Sequence, residues 1–163
     1  MPSKFRTTHD GFTMIEMLLV LSIVAVLALM VIPTFYPVKA RGQINESLDI
    51  ADQLKPNIVS QYQLTYSFPK SNEEAGLPEP GHLIGNFARS ITLDKGALHI
   101  ELGNKIIKPL DEKILTLRPI TVIASPQSPI SWICGYSAVP QGMQASGQNK
   151  TNIDRKFLPV KCR

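Results

Sequence analysis

Residues that do chemistry are scarce in this sequence. Three histidines, two cysteines and one tryptophan are spread over 163 residues. No Gly-x-Ser-x-Gly or comparable signature sets a nucleophile beside a base, which removes sequence support for hydrolytic catalysis. His9 stands near the amino terminus, His82 in a segment without periodicity, and His99 in a predicted strand whose alternation puts it on the exposed face. Neither Cys134 nor Cys162 has a histidine nearby, and zinc needs more ligands at short spacing, so a metal pair is not indicated. Basic residues outnumber acidic ones by 17 to 13, a net charge of +4, without the clustered Lys/Arg run of a dedicated nucleic-acid binder. Nothing in the chain binds ATP. The expectation is a protein that is not an enzyme and holds neither cofactor nor metal.

Charge is also missing from Met17 to Ile32, an apolar run broken only by Ser22. At 1.5 Å per residue, Phe12 to Ile32 makes a helix about 32 Å long, which matches a hydrocarbon core of about 30 Å. Lys4 and Arg6 precede it against Asp10, so the amino-terminal flank stays cytoplasmic and everything after residue 33 lies across the membrane. In a bacterium that side is oxidising, and Cys134 and Cys162 therefore read as one disulfide. Glu16 sits at the doorway of the apolar run. A carboxylate at mid-membrane costs roughly 2.5–3.5 kcal/mol on insertion scales, so Glu16 calls for a partner. A secretory signal is the rival reading, since Val38-Lys39-Ala40 offers a small-residue cleavage pattern that would discard the apolar segment.

The helical pattern continues past Ile32. Ile44, Leu48, Ala51, Leu54, Ile58 and Tyr62 recur every three or four residues, with Gln43, Asn45, Glu46, Asp49, Asp52 and Lys55 on the other faces. The helix should stop before Phe68-Pro69. Pro33, Pro37 and Pro56 predict kinks or a melted stretch near 33–37, and a simple linker over 33–42 is equally consistent. From Ser67 to Arg89 the chain is rich in Pro, Gly, Asn and acidic residues and reads as a long surface connection. Strand signals follow at 90–93 and 97–102, joined by a turn at Asp94-Lys95-Gly96, then at 113–118 with an extension over 120–124 past Pro119, and at 130–136. The tail from Ser137 to Lys156 is polar and reads mostly as loop, and Asn149-Lys150-Thr151 is a glycosylation triplet of a kind that arises often by chance. The fold class is therefore α+β, a long amino-terminal helix packed on a four-stranded antiparallel sheet.

Several of these stretches together resemble the type IV pilins, in the class with short leaders and an amino-terminal phenylalanine. They are Lys4 with Gly11-Phe12-Thr13-Met14-Ile15-Glu16, then Ile32-Pro33-Thr34-Phe35, Ile130-Ser131-Trp132-Ile133-Cys134-Gly135-Tyr136, and Leu158-Pro159-Val160-Lys161-Cys162-Arg163. Ala25 or Ala28 replaces a glycine often found midway along the pilin apolar segment, Phe35 replaces a frequent tyrosine, and Pro37 is unusual.

The resemblance implies the type IV pilin fold and a division of the chain. Residues 1–11 would be a cleaved leader, 12–32 a transmembrane and filament-core helix, 33–66 its amphipathic continuation, 67–89 a surface loop, and 90–163 a sheet with a disulfide-bounded loop. It further implies cleavage between Gly11 and Phe12 by a membrane-embedded prepilin peptidase, methylation of the new Phe12 amine, and contact between Glu16 and the amine of a neighbouring subunit. The implied partners are identical or related pilins, the peptidase, the inner membrane before assembly, and a platform protein with ATPases acting indirectly. The product would be an extracellular pilus serving adhesion, twitching motility or DNA uptake. Two alternatives stand beside it. One is a minor pilin that captures DNA through Lys150, Arg155, Lys156, Lys161 and Arg163 or initiates assembly; the other is a type II secretion pseudopilin.

Overall fold

The structure, a computed structural model, describes residues 11–163, the side chains of 31–34 excepted. The leader expected over residues 1–11, with Lys4, Arg6, His9 and Asp10, lies outside the described residues apart from Gly11.

Helix α1 spans Met14–Thr65 and covers the 33–42 stretch for which helix and linker were both open. By contact density the chain divides between Tyr36 and Pro37 into two units. In the first unit every large apolar side chain from Phe12 to Met30 is 49–86 % exposed. Among the described residues no single unbroken helical stretch is long and apolar enough to cross a membrane; the Met14–Met30 and Phe35–Thr65 stretches of α1 together have the length and composition of a span.

The second unit has its own core. Along α1 the expected stripe is buried at Ile44, Leu48, Ala51, Ile58 and Tyr62, with Ala40 added at its start and Leu54 half-covered. Except for Tyr62, these residues pack into one cluster with Ile91, Leu98, Ile100, Leu102, Leu115 and Leu117 from the sheet. Removing each such side chain from water stabilises the fold by about 1.5–3 kcal/mol. The helix ends where Tyr66 adopts a left-handed conformation (φ 52°) and donates its backbone N–H to the Tyr62 carbonyl at 2.7 Å. Phe68 then stacks on the Tyr62 ring, 4.3 Å between centroids, and turns the chain back.

The sheet is antiparallel, with strands β1 (Ala88–Asp94), β2 (Ala97–Leu102), β3 (Ile114–Val122), β4 (Ser131–Cys134) and β5 (Met143–Ala145). Their order is β1-β2-β3-β4, with β5 also on β3. Lys95 and Gly96 form the two-residue β1–β2 loop with φ of 50° and 83°, the positive pair that a twisted hairpin turn requires. Pro119 falls inside β3, where a missing donor would ordinarily break a ladder. It is tolerated because β2 pairing ends at Leu117 and β5 pairing begins at Ile120, so the donorless nitrogen lies at the changeover.

Two expectations are corrected. The sheet has five strands rather than four, because residues 143–145 of the polar tail add β5 along the far half of β3. His99 is buried, only 6 % exposed, instead of facing solvent. Residues 149–152 follow the first half of β3: Lys150 N–H donates to Thr116 Oγ1, Thr116 N–H to Thr151 Oγ1, and Asn152 N–H to the Ile114 carbonyl, each at 3.1 Å. The polar tail thus covers the sheet face that alternation had assigned to water.

Candidate assembly site

Glu16 is built into the start of its own helix. With Met14 as the first helical residue, Thr13 is the N-cap and Glu16 the third helical position. The Glu16 N–H donates to Thr13 Oγ1 at 3.3 Å, and in return Glu16 Oε2 accepts the Thr13 N–H at 3.0 Å and the Thr13 hydroxyl at 2.9 Å. This reciprocal capping box satisfies two of the donors that a helix start leaves open. The Thr-x-x-Glu spacing of a capping box is legible in the sequence at Thr13 and Glu16. Oε1 makes no hydrogen bond among the described residues, so half of the carboxylate stays open to a cation.

Around this cap the chain is accessible. Gly11 is exposed, and Phe12 is 82 % exposed. Beyond it stretches the exposed apolar surface. Water is a poor solvent for such a helix, whereas lipid or a bundle of like helices is a good one.

At the other end of the chain Cys134 and Cys162 are bonded to each other. Gly135 follows with φ 57°, and a side chain there would start 2.4 Å from the Cys162 carbonyl oxygen, so only glycine permits this close return of the carboxy terminus. The Cys162 carbonyl accepts the Tyr136 N–H at 3.0 Å.

The five basic residues singled out in the sequence all lie in or beside this disulfide-bounded segment, and most are engaged. Lys150 pairs with Asp94 at 3.1 Å and Lys156 with Asp154 at 2.9 Å. The Lys156 side chain and backbone N–H hold the Asp154 carboxyl below the usual carboxylate range. The Arg155 guanidinium lies over the Tyr136 ring, 4.9 Å from its centroid, and Arg163 Nε donates to the Leu158 carbonyl at 3.1 Å. Lys161 forms no ion pair among the described residues. Asn149 is committed as well, donating to the Gly135 carbonyl at 2.8 Å and accepting the Thr151 N–H at 3.1 Å. No grouping of three or more His, Cys, Asp or Glu that could hold a metal occurs among the described residues.

Residues 40–163 match the family described as pilin, a bacterial filament protein. The chain belongs to the pilin family. Residues 6–32 of the pilin match the prokaryotic N-terminal methylation motif, which brackets Gly11, Phe12 and Glu16. The pilin is similar to the type IV major pilin protein PilE1 of Neisseria gonorrhoeae, 27% identical over 164 residues that cover 97% of this chain and 89% of that one. It is similar to a fimbrial protein of Neisseria meningitidis serogroup B, 24% identical over 167 residues, covering 97% and 96% of the two chains. A fimbrial protein of Moraxella nonliquefaciens is 34% identical over 67 residues, 41% of this chain and 44% of that one. The pilin is a structural subunit with the α+β fold of its family.

Proposed function

We propose that this pilin is cleaved between Gly11 and Phe12, methylated on the new Phe12 amine, held in the bacterial inner membrane by its apolar helix, and polymerised through that helix into an extracellular type IV pilus. The observation that carries the proposal is a half-free carboxylate heading an exposed apolar helix. Cleavage creates an ammonium on Phe12. Two opposite charges a few ångströms apart attract strongly in low dielectric, and each relieves the other's desolvation, so the Phe12 amine of one subunit is a fitting partner for Glu16 of the next. Head-to-tail contacts of this kind form a ring only where the rotation between subunits closes, and otherwise they propagate as an open helix, the case proposed for this pilin. Processing would fall to a prepilin peptidase and methylase, and a platform protein with cytoplasmic ATPases would drive extension and retraction for adhesion, twitching motility or DNA uptake. The pilin itself performs no catalysis in this scheme.

Capture of DNA by the carboxy-terminal bases gains little support, because Lys150 and Lys156 already pair with neighbouring carboxylates and Arg155 and Arg163 are engaged within the chain. The disulfide speaks against a secretion pseudopilin, in which such a bond is usually missing.

The test separates capping from assembly. Glu16→Gln preserves a side chain that can close the capping box while removing the charge; Glu16→Ala removes both. The yield of sheared filaments should collapse in both variants, while the helicity of the membrane-extracted subunit falls only in Glu16→Ala. Filaments of normal yield from Glu16→Gln would refute the charge-pairing scheme. Mass spectrometry of wild-type filaments should find a chain beginning at methylated Phe12.

A further inference from the structure

His99 lies beneath the segment that joins β5 to the carboxy terminus. Its Nδ1 is 3.0 Å from Thr116 Oγ1, the same oxygen that accepts the Lys150 N–H. Its Nε2 is buried without a hydrogen-bond partner and lies 4.0 Å from Asp94 Oδ2, which is already paired with Lys150 Nζ at 3.1 Å. The overlying segment is fixed nearby by the Ser146 hydroxyl on the Lys95 carbonyl at 2.7 Å, and by Gly147, whose missing side chain would begin 2.4 Å from the Ala97 Cβ. Asp94 and Lys150 are thus the charges that face the ring from β1 and from the overlying segment. β3 contributes the uncharged Thr116, with Arg118 two residues further along. Glu101, next on the same face of β2, is engaged by Arg89 and Ser90.

We propose that His99 is an acid-operated latch on the disulfide-bounded segment, its protonation releasing residues 146–152 from the sheet while the Cys134–Cys162 bond keeps them tethered. The neutral ring has one N–H, and the site is arranged for one. A second proton disturbs it whichever nitrogen carries the first. At Nδ1 it confronts the fully buried Thr116 hydroxyl, which must then turn its own hydrogen away from the only acceptor it has there. At Nε2 it sets the imidazolium against Lys150 in competition for Asp94. Either way the Lys150 backbone and side-chain anchors, which hold the segment down, are the contacts weakened.

Burial first, and the Lys150 charge second, hold the ring at about 4 instead of 6.5, against the opposing pull of Asp94. A histidine depressed in the closed state binds its proton more readily when open. The closed state therefore keeps its full advantage above pH 6.5 and loses it as pH falls towards 4.

Amide exchange of the 146–152 backbone in the full-length pilin, corrected for the intrinsic pH dependence of exchange, reads the latch directly. Between pH 7 and 4.5 the opening at Lys150 and Asn152 should increase at least about tenfold, and in His99→Gln the response should be flat. The neighbouring charges give a check that does not depend on that variant folding. Lys150→Met removes the repulsion and should move the midpoint to higher pH, whereas Asp94→Asn removes the attraction and should move it lower. Unchanged protection in the wild type from pH 7 to 4.5, a wild-type response in His99→Gln, or midpoint shifts of the same sign in the two charge variants would overturn the proposal.

Discussion

Asn72 shows how much one polar side chain can organise in a segment that reads as loop. It is buried, its Nδ2 donates to the Pro78 carbonyl at 3.0 Å and the Ile91 carbonyl at 3.1 Å, and its Oδ1 accepts the Leu93 N–H at 2.7 Å. Three hydrogen bonds pin the 67–89 connection to β1. Asn72→Ala leaves these backbone groups unpaired in the interior, so it should cost about 3 kcal/mol. For a chain of this length that lowers the melting temperature by roughly 6–12 °C, measurable by circular dichroism on the detergent-extracted pilin. Asn72→Asp keeps the acceptor for Leu93 but turns a charged, acceptor-only oxygen towards the Pro78 and Ile91 carbonyls in the interior, so it should cost at least as much as Asn72→Ala. None of this was legible in the sequence, because an asparagine among prolines and glycines is more often a solvated turn residue. The capping role of Glu16, by contrast, is written in Thr13-x-x-Glu16, because both partners of the box lie within one helical turn.

At the scale of elements, local pattern succeeded where an element's partner was close in sequence. The apolar stripe of α1 from Ile44 to Tyr62 and the β1–β2 hairpin with its Lys95-Gly96 turn came directly from periodicity and turn chemistry. It failed where coverage came from afar. β2 alternates apolar and polar residues and so looks half-exposed, yet five of its six residues are buried and the sixth, Glu101, is half-buried, because 147–152 returns over the polar face. β5 is three residues of modest strand propensity, formed because β3 has a free edge beyond Pro119. The disulfide makes this distant coverage affordable in entropy. For the 28-residue separation between Cys134 and Cys162, loop closure in the unfolded chain is restricted by roughly 3–4 kcal/mol in the chain-entropy model. Changing both cysteines to serine should accordingly lower the melting temperature by roughly 6–16 °C, with 146–152 the first amides to lose exchange protection. An unchanged melting temperature would mean that the Gly135 turn and the backbone bonds from 149–152 suffice without the bond.

Across the whole molecule, the two units differ in what they need from their surroundings. The residues from Pro37 onward bury Ile44, Leu48 and Ile58 against the sheet and satisfy themselves. The large apolar side chains from Phe12 to Met30 leave 49 % or more of their surface uncovered, and at about 1.5–3 kcal/mol per fully buried side chain, covering them is worth on the order of 20 kcal/mol. That exceeds the roughly 5–15 kcal/mol by which a whole domain is ordinarily stable, so association through this unit should dominate the solution behaviour of the full chain. A chain beginning at Pro37 tests the point. Proline is well suited to a first helical turn, since its missing N–H would have no partner there, so the shortened α1 keeps a natural start. It should sediment as a monomer without detergent and melt within a few degrees of the detergent-held full chain, whereas the full chain should aggregate once detergent is withdrawn. Self-association of the shortened chain would place a second adhesive surface on the sheet unit, and loss of its cooperative melting would show that the core of residues 37–163 depends on the apolar helix for more than anchorage.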